Sequence, residues 1–326
     1  MLRKIAAAIS AVSLLFCLTS CSLTEIPKTE ITHQTEVPPK MLFLGDSIAA
    51  GYGLDGYTSK DNYNCNSYSN ILKEKYENEL GDECGHTMIN KAVSGYTSDD
   101  LIKQIQSGEL DGDLKETDAV VISIGGNDLL GILLELLDDL GISKSGEFDS
   151  DSIDFFGAAT AFLGMDGDVN KALDKFSENI RIITEELHNR TDGKIFIQTL
   201  YDPLAYFDSF KIITDFSDEK IGELNSIIAG NAPENYTVID VAADFKERSG
   251  ELTNISKFDI HPNAEGHEVI AEDVDKAFRA AGFSYVTVEA GEKRLTGFGK
   301  KAILGGVICA ILIFRVGTII IFRKRK

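Results

Sequence analysis

Five short apolar runs, at 41–45, 87–92, 119–124, 194–200 and 236–241, alternate with five stretches of helical periodicity, at 67–80, 98–107, 169–190, 217–229 and 264–281. None of the runs alternates strictly between apolar and polar residues, the mark of strands covered on both faces. Strand then helix, repeated, predicts a three-layer α/β/α domain over 41–282, with a five-stranded parallel sheet and right-handed crossovers. Active sites in such sheets lie at the carboxyl ends of the strands. The region is long enough for one substantial core, and no internal repeat divides it.

One stretch breaks this rhythm. Residues 129–167 separate the third run from its return helix and hold Leu129-Leu130-Gly131-Ile132-Leu133-Leu134, an acidic Gly/Ser loop, and Phe155-Phe156. An insertion at the end of a central strand is placed to roof a site, while its helical parts are equally suited to extending the core. Both readings stand on the sequence.

The two ends carry membrane signals. Arg3 and Lys4 precede an apolar stretch from Ile5 to Leu18, of signal-peptide length, which ends in Leu18-Thr19-Ser20-Cys21. This resembles a bacterial lipobox, with residues 1–20 removed and Cys21 lipidated; the alternative is an ordinary secretory signal cleaved near Ser20. Either way the mature chain is exported, and residues 21–40 read as an extended tether. At the other end, a linker at 283–301 leads into the apolar segment 302–322, followed by Arg323-Lys324-Arg325-Lys326. Its length suits a membrane span of about 20 residues, and the basic tail suits a cytoplasmic end. Arg315 would snorkel towards the headgroups.

Charge excludes some partners. Residues 21–292 hold 21 Lys and Arg against 52 Asp and Glu, a formal charge of −31. Such a surface repels nucleic acid and anionic lipid headgroups. Within that region only Cys65 and Cys84 lie beyond the lipobox cysteine. Export allows them a disulfide, yet the helix expected between them would hold its ends about 20 Å apart. The pairing stays open.

Four pieces fall at strand ends or turns: Gly45-Asp46-Ser47, then Asn90-Lys91-Ala92-Val93-Ser94-Gly95, then Gly125-Gly126-Asn127-Asp128, then Asp259-Ile260-His261-Pro262. Singly, each is a common turn; Asn127 or Asp128 would serve as a helix cap and Asp46 as a turn-stabilising residue. Together and in this order they resemble the SGNH, or GDSL-type, hydrolase family across essentially all of 41–282. The resemblance implies a flavodoxin-like fold, Ser47 as nucleophile and His261 as general base. It also implies an oxyanion hole from the Ser47 and Gly95 amides and the Asn127 side chain. The family's usual acid stands three residues before the histidine, where this chain has Phe258. Asp259, two residues before, is the candidate that would orient His261; a backbone carbonyl or Asp240 would be the substitute.

The other histidines, His33, His86, His188 and His267, form no metal-binding set, and no phosphate loop, dinucleotide fingerprint or Gly-x-Ser-x-Gly elbow is present. No cofactor is expected. The reading is a membrane-anchored, extracytoplasmic serine ester hydrolase, acting on small acyl esters such as acetyl groups on a carbohydrate. A lipase, lysophospholipase or thioesterase is the alternative, its acyl tunnel lined by 129–134. A non-catalytic surface binding module that kept the fold is the reading from another class.

Overall fold

The structure is a computed structural model that describes residues 23–129, 155–207, 211–257 and 259–323. Residues 1–20, Cys21, Phe258 and segment 130–154 of the insertion lie outside them. The chain divides into two compact units, His33–Tyr285 and the paired flanks before and after it. In chain order the strands are β1 (Thr24–Glu25), β2 (Lys28–Thr35), β3 (Lys40–Gly45), β4 (Thr87–Asn90), β5 (Ala119–Ser123), β6 (Lys194–Gln198), β7 (Thr237–Ile239), β8 (Phe283–Ala290) and β9 (Arg294–Leu295). The helices are α1 (Ser47–Ala50), α2 (Tyr68–Leu80), α3 (Ser98–Gln106), α4 (Asp111–Glu116), α5 (Phe155–His188), α6 (Lys211–Asn231), α7 (Val241–Phe245), α8 (Ser249–Leu252), α9 (Ala264–Ala281) and α10 (Gly297–Arg323).

The larger unit is an α/β domain on a five-stranded sheet in the order β4-β3-β5-β6-β7, every neighbouring pair parallel. From β3 the chain steps one way to β4, and from β5 onwards it steps the other way. The switch between β3 and β5 opens a crevice at their carboxyl ends. Consecutive strand residues face opposite sides, and both sides are buried. Met41 and Phe43 join a core with Tyr68 and Tyr76 of α2 and Phe278 of α9. Leu42 and Leu44 join a second core with Leu101 of α3, Phe176 of α5 and Leu224 of α6. Two apolar faces on one strand erase the alternation a half-exposed strand would show.

Helix α9 spans the residues expected of it, with the Asn263 side chain capping it through the Gly266 N–H at 3.0 Å. Helix α5 departs most from expectation, beginning at Phe155 rather than at 169. The Ala, Leu and Met residues around Gly164 and Gly167 favour helix strongly enough to carry it through both glycines. Residues 155–167 of the insertion therefore extend the return helix; the roof reading falls on residues outside the description.

The segments expected as tether and linker hold strands that pair with each other. Strand β1 runs antiparallel to β9 with Thr24 opposite Leu295, and Glu25 forms an ion pair with Arg294 at 3.0 Å. Strands β2 and β8 form a second two-stranded sheet. Helix α10 covers the apolar segment 302–322, and among the described residues no helix is long and apolar enough to cross a membrane. The side chains of 313 and 316–323 lie outside those residues. Cys65 and Cys84 are buried free thiols, one before and one beyond α2, so the open question of a disulfide closes on two separate thiols.

Candidate active site

The first loop leaves the sheet at Gly45, whose φ is +117°. A Cβ there would stand 1.9 Å from the Ser123 carbonyl oxygen of β5, so glycine alone fits. Asp46 then caps α1. Its Oδ1 accepts the Ile48 N–H at 3.1 Å and the Ser123 hydroxyl at 3.0 Å, tying the loop to β5. Asp46 is only 1 % exposed, and burial pushes its carboxyl up to about 7. This is the turn-stabilising role its sequence position suggested. Ser47 follows as the first residue of α1, where a helix leaves its N–H groups without intrahelical partners.

Ser47 Oγ lies 2.9 Å from His261 Nε2, and His261 Nδ1 lies 2.5 Å from Asp259 Oδ1. An ionised carboxylate only accepts hydrogen bonds, so the neutral imidazole donates from Nδ1 and presents the Nε2 lone pair to the serine hydroxyl. The shortened Asp-x-His spacing still reaches because of a local turn. Asp259 Oδ1 also accepts the backbone N–H of His261 at 3.0 Å, and this Asx turn folds the carboxylate back onto the ring two residues ahead. Around it, the Tyr201 hydroxyl donates to the Ile260 carbonyl at 2.8 Å, and the Asn254 N–H donates to the His261 carbonyl at 2.9 Å. Asp240, the substitute acid, instead caps α7 through the Ala243 N–H.

The second and third loops are joined to each other. The Val93 N–H donates to the Gly45 carbonyl at 2.9 Å, setting the second loop against the first. Gly95 occupies a tight turn closed by the Tyr96 N–H on the Val93 carbonyl at 3.2 Å, with φ of +89°, the signature of a type II turn. A Cβ on Gly95 would meet nothing within 4 Å, so its backbone borders open space. The Asn127 side-chain amide donates one hydrogen to the Tyr96 carbonyl at 2.8 Å, leaving its second N–H for another acceptor. Asp128 accepts the Ser98 N–H at 3.0 Å and the Ser98 hydroxyl as well, holding the start of α3. Burial raises its carboxyl as well.

Two side chains were not singled out from the sequence. Asn90 ends β4 only 5 % exposed; its Nδ2 donates to the Ala49 carbonyl at 2.7 Å and to Ser69 Oγ at 3.0 Å, and its Oδ1 accepts the Ala92 N–H at 3.0 Å. An amide at the end of an otherwise apolar strand was the available signal. Tyr52, five residues after the serine, packs its ring against His261. His267 lies buried in α9, where its Nδ1 accepts the Tyr68 N–H at 3.3 Å. Burial, and then the charge of His261, hold its ring down to about 3, so it stays neutral. Among the described residues no group of three or more His, Cys, Asp and Glu is placed to hold a metal ion.

A serine, a histidine and a carboxylate joined in sequence at the carboxyl ends of a parallel sheet define the class, a serine hydrolase. The chain belongs to the GDSL-like lipase/acylhydrolase family, whose pattern it matches over residues 43–269. It is similar to the uncharacterized protein YpmR of Bacillus subtilis, at 22% identity over 83% of this chain and 94% of that one. It is also similar to the spore germination lipase LipC of Bacillus licheniformis, at 26% identity over 74% of this chain and 94% of the relative. Among solved structures, an extracellular lipase from Streptomyces rimosus shares the fold with a TM-score of 0.53 at 16% identity, over 73% of this chain and 99% of that one.

Proposed function

We propose that this chain is an extracytoplasmic serine esterase that removes a small acyl group, such as acetyl, from a carbohydrate. The observation that carries the chemistry is the continuous path from Ser47 Oγ through His261 to Asp259, at 2.9 and 2.5 Å. Ser47 Oγ attacks the ester carbonyl carbon as its proton passes to His261 Nε2. Collapse of the tetrahedral intermediate expels the alkoxide, which takes that proton, and leaves Ser47 acylated. Water, deprotonated by the same imidazole, then releases the acid and restores the serine. The Ser47 and Gly95 N–H groups and the second N–H of Asn127 are the donors assigned to the oxyanion; removing one such donor typically costs about 10²–10³ in turnover.

The preference for a small acyl group on a neutral carrier rests on charge. A formal −31 over residues 21–292 disfavours a lipid interface bearing anionic headgroups. The lipase reading is retained because a relative carries that name at 26% identity. Export and anchoring rest on the terminal segments. Ile303, Leu304, Val307, Ile308, Ile311, Leu312 and Phe314 stand exposed along α10, an apolar surface that a bilayer would cover. Hydrolysis of p-nitrophenyl esters of increasing chain length tests the substrate. Acetate is expected to give the highest kcat/KM, and a strong preference for chains beyond about eight carbons would assign the lipase reading instead.

A further inference from the structure

The loop after α1 carries Gly51-Tyr52-Gly53, a segment for which neither the nucleophile nor the oxyanion donors account. Its backbone is fixed to the nucleophile: the Tyr52 N–H donates to the Ser47 carbonyl at 3.0 Å. It also passes close to the acid. Gly53 has φ of +87°, and a Cβ on it would stand 3.2 Å from Asp259 Oδ2 and 3.6 Å from the His261 Cβ, so the loop lies close against the histidine turn. Between these two points the Tyr52 ring packs against the imidazole, with centroids 4.4 Å apart and planes tilted by 46°. Tyr57 backs the ring edge-on at 5.3 Å. Yet Tyr52 is 41 % exposed, so its burial alone does not account for so determined a placement.

An aromatic face within about 6 Å of a cation attracts it through the ring quadrupole. During turnover the imidazole is cationic in the interval between taking a proton, from Ser47 in acylation or from water in deacylation, and delivering it. An interaction stronger in that interval than in the resting enzyme lowers the barrier. We infer that Tyr52 is a positioning residue of the reaction, seating His261 between its own ring and Asp259 and stabilising the imidazolium as it forms. The inference rests on the serine-hydrolase reading of the site. The groups facing His261 are Asp259 on its own turn, Ser47 on the first loop, Tyr52 itself, and His267 from α9. The Tyr201 hydroxyl next to that turn is already bound to the Ile260 carbonyl. Of these, Tyr52 packs its ring on the imidazole, and its neutral π face favours the protonated form.

The test is an NMR titration of the His261 imidazole, assigned by its loss in His261→Ala, in the wild type, Tyr52→Phe and Tyr52→Leu. Leucine covers the ring without a π face. Tyr52→Leu is expected to lower the His261 pKa by about half a unit and kcat about 2- to 5-fold. Tyr52→Phe is expected to match the wild type in both. An unchanged or raised pKa in Tyr52→Leu, or a fall in Tyr52→Phe equal to that in Tyr52→Leu, overturns the inference. The titration needs no turnover, so loss of the esterase reading would appear separately, as absence of Ser47-dependent hydrolysis in the wild type.

Discussion

Replacing Asp259 by alanine removes two bonds at once, the one to His261 Nδ1 and the one that closes the turn on the His261 N–H. The ring then loses both its tautomer and its orientation. Asp259→Ala is expected to lower kcat by about 10³–10⁴ while KM moves little, measured by steady-state kinetics on a soluble acetyl ester. A loss below about tenfold would assign the orienting role elsewhere. Asp46 carries a different consequence. Its carboxyl holds a proton up to about 7 when folded, against about 3.9 in an unfolded chain. Because the folded value is raised, the stabilisation is complete below about pH 4 and is lost as pH climbs through about 7. Asp46→Asn keeps an acceptor for Ile48 and Ser123 but does not titrate. Urea unfolding is therefore expected to show the wild type losing about 2–4 kcal/mol relative to Asp46→Asn between pH 4 and 7; parallel curves would contradict it.

At the scale of elements, three loops from three neighbouring strands must hold one geometry, and polar ties do so. Asp128 joins the third loop to the start of α3, while Asn127 joins it to the turn that holds Gly95. Asp128→Ala leaves the buried Ser98 without its acceptor, a loss worth about 1–3 kcal/mol. It is expected to lower both the melting temperature and kcat; a loss of stability with kcat intact would show the loops to be independent of that tie. Most of this architecture was legible in the sequence. The five strands, the helix order and the four motif blocks follow from local periodicity and turn residues, and these act over a few positions. What was not legible depends on partners far away in the chain. The pairing of β1 with β9 joins residues about 270 positions apart, and nothing in Thr24-Glu25 announces Arg294-Leu295. The reach of Asp259 was obscured for another reason. A one-residue shift looks damaging in a linear motif, but an Asx turn needs that same two-residue step.

At the scale of the whole molecule, Ser47, His261 and Asp259, the sheet and both cores fall within 33–285, while both terminal apolar segments belong to the flanks. A chain cut to residues 33–285 is expected to fold cooperatively and to keep kcat/KM for a soluble acetyl ester within about threefold of the full chain, because each core closes on itself. An insoluble or inactive fragment would mean that the flanks complete the domain. The central claim is that Ser47 is a nucleophile activated by His261. Reaction of the folded protein with a fluorophosphonate, read by intact mass and peptide mapping, tests it most directly. The expected result is one adduct per chain on Ser47, absent in Ser47→Ala and slowed by orders of magnitude in His261→Ala. No adduct, or an adduct on another residue that persists in Ser47→Ala, would contradict it.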